Sequence, residues 1–321
     1  MNKKKIVVIG GGNGSAVCLE GLKKYADKFD ISAVISMSDS GGSSGKLRKE
    51  FNTLPPGDIM RAILSLSKYD YKILRRIFYK PRFKNTGKLD SHNLGNLFLT
   101  LMSQHSGNFL FALEALSQSV EAQGKVYPVT LENVNLAAEL ENGDIIRTEE
   151  FIDNPKYNRG LKIKKVWLEP ACRAYAEAQK AIEVASCIIL SPGSLYTSLI
   201  ASLLPDGIAE AIKKNKQAKL IYVAGSAFRL DGETGPEKLS EFVLQMEKYL
   251  PRKIDLVVHN NHRLTKKQQA IYKAQNWGVF EFDKENLPDK KIKSLDLEAE
   301  DGGLSPEKLA IVLNAIIKHN Q

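Results

Sequence analysis

The sequence predicts an α/β protein built on a doubly wound, mostly parallel, Rossmann-like sheet. Two observations support this: short runs of Val and Ile alternate with amphipathic stretches, and glycine-rich loops follow several of the predicted strands. A third observation concerns the middle of the chain, where apolar residues alternate and an Asn142-Gly143 pair is a strong hairpin signal. We therefore expect one large α/β domain over residues 1–321, with an antiparallel, β-rich insertion at about residues 126–168.

The first third of the chain opens with a strand–helix–strand unit. Lys4–Gly10 is rich in Val and Ile and predicts a buried strand, helical spacing predicts a helix over Gly14–Tyr25, and Ile31–Met37 predicts a second strand. The unit has the length of a βαβ motif. Further helices are predicted over Asp58–Ser67, Tyr71–Tyr79, Asn93–Ser103 and Asn108–Gln118.

After the β-rich middle, which ends with a predicted strand over Ile163–Leu168, the alternation of strands and helices resumes. Helices between strands provide the crossover connections that a parallel sheet needs. The remaining strands are predicted over Cys187–Leu190, Leu220–Ala224 and Ile254–His259, and the helices over Ala171–Val184, Ser194–Leu203, Ile208–Lys214, Glu237–Tyr249, Lys266–Gln275 and Ser305–Lys318.

The composition is that of a soluble globular protein and argues against several function classes. The longest apolar run falls far short of the ~20 residues that a membrane helix needs. Three cysteines are too few and too scattered for a disulfide framework or a thiolate zinc site. The five histidines include no His-x₃-His pair, which argues against a catalytic zinc site. Because no signal-peptide pattern is visible either, we expect a cytoplasmic protein with no membrane span.

Positive charge is concentrated at the start of the chain. The net charge is +9, and residues 1–100 contain 18 Lys and Arg against 8 Asp and Glu. Because the glycine-rich loops lie in the same region, this excess favours an anionic ligand such as a phosphate ester. A solvated basic surface is the alternative that charge alone leaves open. Nucleic acid is not an expected partner, since no nucleic-acid-binding module is recognisable.

The loop after the first predicted strand has the composition of a phosphate-binding turn. Glycines let the backbone approach a phosphate, and the following helix N-terminus offers free N–H groups. The pattern resembles the dinucleotide fingerprint, but Ser15 replaces its third glycine and the second strand ends without an acidic residue. A dehydrogenase is therefore disfavoured, and a tight turn without a ligand is the alternative. The predicted binding residues are Gly10, Gly11, Gly12, Asn13, Gly14 and Ser15.

A serine- and glycine-rich loop leaves the carboxyl end of the second strand, where open α/β sheets bind ligands. Its hydroxyl and N–H groups suit a second anion, although flexible linkers have a similar composition. Asp39 in this loop could share Mg²⁺ with Asp58, because diphosphates usually bring this ion. A simple helix cap is the alternative role for Asp58. The other predicted binding residues here are Ser38, Ser40, Gly41, Gly42, Ser43 and Ser44.

Two further loops open predicted helices. His92 could act as a general acid or base, bind an anion or start a helix, and with Asp39 and Asp58 it completes the candidate catalytic residues. The fourth loop follows the strand Cys187–Leu190 and, like the first loop, connects a predicted strand to a predicted helix. We therefore expect both loops to border one crevice. The predicted ligand-binding residues in these two loops are Asn93, Asn96, Pro192, Gly193, Ser194 and Tyr196.

Taken together, these loops resemble the CofD/YvcK superfamily. Its members include 2-phospho-L-lactate transferases and the bacterial gluconeogenesis factors, and the resemblance is closest to the gluconeogenesis factors. It extends from about residue 5 to residue 235 and, more weakly, to the C-terminal helix. The segments that carry it are Gly10–Gly14, Asp39–Gly45, Leu54–Asp58, His92–Leu97, Gly124–Thr130 and Ser191–Ser198.

The resemblance implies a nucleotide diphosphate or nucleotide-sugar ligand similar to a UDP-sugar, and a regulator of central carbon metabolism and cell shape. A homo-oligomer, namely a dimer, is expected. The alternative is a transferase that moves a phospho-group from a nucleoside-diphosphate donor to an acceptor hydroxyl. Ser40 stands where the family usually has a second aspartate, which weakens a metal-dependent transferase. Residues 224–231 also depart from the family pattern, so the base and sugar of the ligand stay undetermined.

Overall fold

A seven-stranded sheet runs through the centre of the molecule. The computed structural model describes residues 3–318, and all neighbouring strands of this sheet pair in parallel. The strands, in chain order, are β1 (Lys4–Gly10), β2 (Phe29–Ile35), β3 (Lys125–Pro128), β4 (Asn135–Leu140), β5 (Ile145–Arg147), β6 (Ile163–Glu169), β7 (Cys187–Leu190), β8 (Lys219–Val223), β9 (Phe228–Arg229), β10 (Leu256–Asn260), β11 (Trp277–Gly278) and β12 (Ile292–Leu295).

The strand order brings the first and fourth loops side by side. Across the main sheet the order is β12-β10-β8-β7-β1-β2-β3. From β1 the chain moves outward to β2 and β3, and it then returns to β7, which pairs with the other edge of β1. Open sheets bind ligands where the winding reverses in this way, beyond the carboxyl ends of the two strands. The doubly wound parallel sheet that the sequence predicts is confirmed.

Most of the predicted helices are present with slightly shifted ends. Two of them are irregular: Tyr71–Tyr79 combines a short α-helix with a π-helical turn, and the segment after Ser194 is a π-helical turn followed by a 3₁₀ turn. The α-helices are α1 (Gly12–Lys23), α2 (Gly42–Phe51), α3 (Gly57–Leu66), α4 (Tyr71–Leu74), α5 (Leu94–Ser106), α6 (Phe109–Ser119), α7 (Glu149–Asp153), α8 (Ala176–Glu183), α9 (Ile208–Lys214), α10 (Leu239–Glu247), α11 (Lys266–Ala274) and α12 (Pro306–Lys318).

One helix lies where the sequence indicated a loop. α2 begins at Gly42, so Ser43 and Ser44 belong to its first turn. The Ser43 hydroxyl bonds His92 Nδ1 at 2.8 Å and accepts a hydrogen bond from Asn96 Nδ2 at 3.0 Å. These partners are distant in the chain, so their effect cannot be read from a local composition that is typical of loops.

The middle of the chain forms a separate antiparallel sheet, as predicted. β4 pairs with both β5 and β6, and the Asn142-Gly143 pair lies in the turn between β4 and β5, where Gly143 has φ of 90°. This sheet starts at Asn135 rather than near residue 126, because β3 pairs in parallel with β2 at the edge of the main sheet. The sequence analysis missed β9, β11 and β12, which are too short to show a clear alternation.

The central strands are buried on both faces. Residues 6–9 of β1 are at most 1% exposed, and all four residues of β7 are buried. Since successive side chains of a strand point to opposite faces, this burial means that both faces of the sheet are covered. α1 packs against α3 and α12, and α8 packs against α9. Among the helices of residues 3–318, none has the length and apolar character that crossing a bilayer requires.

The loops after β1 and β7 touch through their backbones. A Cβ atom added to Gly14, in the first turn of α1, would lie 1.8 Å from the carbonyl oxygen of Pro192. A Cβ atom on Gly10 would lie 2.1 Å from the hydroxyl oxygen of Ser191. Only glycine allows so close an approach. These two glycines therefore hold the loops together, in addition to any role toward a ligand.

Gly14→Ala should destabilise the protein by about 1–3 kcal/mol, because the added methyl group overpacks the contact with Pro192. Gly107→Ala is the matched control: an added Cβ there meets no atom within 4 Å, but the residue has φ of +67° and does not line the cleft, so it should cost about 1–2 kcal/mol through backbone strain alone. Urea unfolding measures both. Only Gly14→Ala should also weaken ligand binding by separating the loops, and wild-type stability in Gly14→Ala would contradict the crowding.

Candidate functional site

A large open cleft lies beyond the carboxyl ends of β1 and β7. Its volume is about 1160 Å³, slightly above the roughly 300–1,000 Å³ that is common for small-molecule sites. The first and fourth loops form one wall. The insertion contributes residues of α7, and the segment 225–237 lines a further part of the cleft. The cleft is large enough for a ligand of nucleotide-sugar size.

The structure divides the predicted site residues into two groups. The first group lines the cleft and consists of Gly11, Gly12, Asn13, Gly14, Asp39, Gly41, Asp58, Pro192, Gly193 and Ser194. The second group does not line the cleft and consists of Gly10, Ser15, Ser38, Ser40, Gly42, Ser43, Ser44, His92, Asn93, Asn96 and Tyr196.

His92 lies below α2 and away from the cleft lining. It is 2% exposed, its Nδ1 atom bonds Ser43, and burial lowers its pKa. The neighbouring Asn93 accepts a hydrogen bond from the amide of Asn96 at 2.8 Å and so caps α5. The third loop therefore supports the first turn of α2, and this position offers His92 no direct contact with a ligand in the cleft.

Several predicted hydroxyl groups are already bonded within the protein. Ser15 Oγ donates to the carbonyl of Gly12 at 3.1 Å, and Ser38 Oγ pairs with Ser36 Oγ at 3.1 Å. Ser40 Oγ accepts a hydrogen bond from the amide of Glu150 at 2.9 Å. The buried Tyr196 hydroxyl donates to the carbonyl of Ile163 and accepts from Gln245. Ser40 and Tyr196 thereby join their loops to the insertion, while Ser15 and Ser38 make local hydrogen bonds.

Carboxylates from elsewhere in the chain occupy the N-termini of two helical segments at the cleft. The amide of Gly12, which starts α1, donates to Asp58 Oδ2 at 2.8 Å. The amides of Tyr196 and Thr197 donate to Glu233 at 3.1 and 3.0 Å. Asp58 lies in the first turn of α3 but caps α1, so the predicted cap acts on a different helix. Each carboxylate compensates the positive end of a helical segment.

Four acidic side chains at the cleft lie close enough for their negative charges to repel one another: Asp39, Asp58, Glu149 and Asp153. Burial, together with the charge of Asp58, raises the pKa of Asp39 to about 6. Burial and the nearby Asp39 raise the pKa of Glu149 well above its usual value, and burial also raises the pKa of Asp153. Protons or cations therefore bind favourably in this part of the cleft.

The cleft contains more acidic than basic residues. Seven acidic and five basic side chains line it. Arg61 pairs with Asp58 and also donates to Asn13 Oδ1 at 3.3 Å, while Arg229 pairs with Asp153 at 2.8 Å. Most basic side chains of residues 1–100 therefore lie outside the cleft lining. Arg48, for example, donates to the carbonyls of Asp39 and Val134.

The sequence analysis missed Arg61, Glu149, Asp153, Arg229 and Glu233 as cleft residues. Arg229 and Glu233 lie in or next to residues 224–231, the segment that departs from the family pattern, and that departure did not indicate a cleft residue. Glu149 and Asp153 reach the cleft because α7 of the insertion packs against the second loop, where the amide of Ser40 donates to Glu149 at 3.2 Å. A contact across 109 residues leaves no local pattern.

Among the described residues, no group of three or more His, Cys, Asp or Glu side chains is placed to hold a metal ion by itself. Asp39 Oδ1 accepts a hydrogen bond from the amide of Gly41 at 3.0 Å, and Asp58 is held by Gly12 and Arg61. Mg²⁺ typically takes one or two carboxylates and completes its shell with water and phosphate oxygens. Asp39 and Asp58 are two such carboxylates, and they lie close enough for the charge of Asp58 to raise the pKa of Asp39.

Glu233→Gln should change how stability depends on pH. Burial raises the pKa of Glu233 from 4.5 to about 7, so the folded protein binds more protons than the unfolded chain over this range. Wild-type stability should therefore fall as the pH rises from about 4.5 to 7. The variant lacks this titration, and its free energy of unfolding should fall less, by about 1–3 kcal/mol.

Chemical denaturation at pH 5 and pH 8 tests this expectation. Glu237→Gln is the matched control, because Glu237 lies on the same segment with its side chain 70% exposed. The control should follow the wild type. Identical pH dependence in wild type and Glu233→Gln would show that Glu233 titrates in the same way in both states of the chain.

Comparison with known proteins identifies the family. Residues 6–298 match the family described as 2-phospho-L-lactate transferase CofD. A gluconeogenesis factor of Halalkalibacterium halodurans is 40% identical over 235 residues, 73% of this chain and 70% of that protein. A Thermotoga maritima protein is 38% identical over 283 residues, 88% of this chain and 87% of that protein.

The architecture agrees with this match. The crystal structure of a Bacillus halodurans protein of the UPF0052 family has a TM-score of 0.88 and 31% sequence identity, and the comparison covers 98% of this chain and 99% of that one. The parallel sheet, the glycine loops at its switch point and the sequence matches lead to one conclusion. This chain belongs to the CofD family and is similar to the gluconeogenesis factors within it.

Proposed function

We propose that the cleft binds a nucleoside diphosphate or a nucleotide sugar of the UDP-sugar class. The observation that carries this proposal is the contact of two glycine loops at the switch point of the sheet. The amides of Asn13 and Gly14 lie in the first turn of α1, where no acceptor within the helix is available to them. The amides of Gly193 and Ser194, within the described range, donate to no other backbone group. These N–H groups are suited to phosphate oxygens.

Mg²⁺ is proposed to bind together with the diphosphate. A diphosphate brought into a cleft with an excess of carboxylates would be repelled unless positive charge came with it. Asp39 and Asp58 would hold the ion, as their hard oxygen atoms are the ligands that Mg²⁺ prefers. When bound, the ion offsets charge on the phosphate oxygens. The protein positions the ligand through its backbone amides and through Arg61, which links Asp58 to Asn13.

The role of this binding is proposed to be regulatory. Relatives named gluconeogenesis factors support a function in the control of central carbon metabolism, and the family resemblance extends the proposal to cell shape. The protein would act in the cytoplasm as a homodimer. Because the second loop is hydrogen-bonded to α7 of the insertion through Ser40, a ligand bound at this loop could influence the conformation of the insertion.

A transferase is the second candidate, and the CofD family match favours it. In that case an acceptor hydroxyl would attack the phosphorus next to the leaving nucleoside monophosphate, and the cleft would contribute positioning and electrostatic stabilisation. Asp39 could accept the proton of the acceptor, since its pKa of about 6 is close to the working range of a general base. His92 is too far behind α2 to take this role.

Calorimetric titration of UDP-glucose, with Mg²⁺ and with a chelator, tests the binding proposal. We expect binding to the wild type to be at least about tenfold tighter with Mg²⁺, which corresponds to about 1.4 kcal/mol. Asp39→Asn should bind equally well in both conditions, while Asp27→Asn, whose carboxylate is 69% exposed far from the cleft, should resemble the wild type. Absence of binding by all nucleoside diphosphates at millimolar concentration would reject the proposal.

Turnover separates the two candidate functions. A regulator should leave the nucleotide intact over hours, both alone and with small hydroxy acids added. A transferase should release nucleoside monophosphate only when an acceptor hydroxyl is present, and Asp39→Asn should slow that release by about 10²-fold or more if Asp39 is the base. Chromatography of the nucleotide products measures this. Acceptor-dependent release would replace the regulatory proposal by the catalytic one.

A further inference from the structure

An aromatic and cationic cluster lies at the cleft beside the glycine loop. The guanidinium carbon of Arg75 is 5.7 Å from the ring centre of Tyr71 and 5.6 Å from that of Tyr79. The guanidinium carbon of Arg61 lies 5.1 Å from the ring centre of Tyr79, and Arg61 donates to Asn13 Oδ1. Tyr71, Arg75 and Arg61 all line the cleft. The cluster is therefore connected to the proposed phosphate-binding loop through Arg61.

Polar atoms in this cluster are buried without a partner. The hydroxyl of Tyr71 and the Nε atom of Arg75 are inaccessible and make no hydrogen bond within residues 3–318, although Tyr71 is only 6% exposed as a whole. Buried polar atoms are nearly always bonded in folded proteins, and exceptions are concentrated where a ligand or an ordered water completes the site. Two such groups side by side therefore indicate a place prepared for an acceptor.

Arg75 also differs from the other cationic side chains of the cleft. The others each have an acceptor: Arg61 pairs with Asp58, Arg229 with Asp153 at 2.8 Å, Arg159 with the carbonyl of Gly232 at 2.8 Å and Lys162 with the carbonyl of Gly235 at 3.3 Å. Within the described residues Arg75 has neither a carboxylate nor a carbonyl partner. Its guanidinium is held by aromatic faces, which fix its position and leave its edge available.

We propose that Arg75 and the hydroxyl of Tyr71 form a subsite for a carboxylate on the sugar part of the ligand, so that the cleft prefers a nucleotide-linked sugar acid. This inference rests on the proposed function and adds the class of sugar. One guanidinium fork and one hydroxyl match the two oxygen atoms of a planar carboxylate. The carboxylates of Asp39 and Asp58 would repel the carboxylate of the sugar. The sugar acid would therefore bind on the Arg75 side of the cleft.

UDP-glucose and UDP-glucuronate provide a direct test, since they differ only in a hydroxymethyl group and a carboxylate on the same sugar carbon. Calorimetric titrations with Mg²⁺ should show that the wild type binds UDP-glucuronate at least about tenfold more tightly, as expected for a hydrogen bond to a charged group. Arg75→Gln should abolish this preference and leave the affinity for UDP and UDP-glucose unchanged. Tyr71→Phe should reduce the preference by a smaller factor.

Arg76→Gln is the matched control. Arg76 is the next residue in the chain, is exposed and does not line the cleft, so this variant should keep the wild-type preference. Equal affinities of the wild type for the two sugars, or a preserved preference in Arg75→Gln, would overturn the carboxylate subsite while the nucleotide proposal stands. If the wild type binds none of the three compounds, the proposed function fails and the subsite fails with it.

Discussion

The close approach of the loops after β1 and β7 is the constraint on which the candidate site depends. The parallel pairing of these strands sets both loops at the same level, and the missing side chain of Gly14 lets its backbone meet the carbonyl of Pro192. The start of α1 and the helical turn that follows Ser194 consequently border one cleft. A side chain at Gly14 would separate the two turns, because no neighbouring flexible group could yield to it. The glycines thus shape the fold before they contact any ligand.

This arrangement has an electrostatic consequence. Asp58 and Glu233 accept hydrogen bonds from helix N-terminal amides and bring negative charge into the cleft together with Asp39, Glu149 and Asp153. The raised pKa values of Asp39, Glu149 and Glu233 show that the cleft already favours extra positive charge. A diphosphate increases this demand. Under the proposed function, binding of the diphosphate would therefore be coupled to the uptake of a cation or of protons.

The sequence predicted the architecture well and the site only in part. The strand Lys4–Gly10 has the same bounds in the structure. Its bounds were predictable because they depend on local sequence: a run of Val and Ile lies between charged residues and a glycine turn. The acidic wall was not predictable, because Glu149 reaches the second loop only through the packing of the insertion. The loop interpretation of residues 42–45 was wrong for the same reason: Ser43 is held in a helix by His92 and Asn96. Local patterns identify turns, and tertiary contacts decide which side chains surround them.

The charges along the cleft have an order that constrains any ligand. Asp39, Glu149 and Asp153 form an acidic side, the Asp58–Arg61 pair lies next to it, and Arg61 shares the ring of Tyr79 with Arg75. Because Asp58 contacts the glycine loop and Arg61 contacts Asn13, the pair joins both sides to the same backbone amides. A ligand with a cation-bound diphosphate at the loop can place a neutral or acidic group beside Arg75, but an acidic group on the other side would face three carboxylates. The polarity of the cleft therefore selects the orientation of the ligand before any contact selects its base.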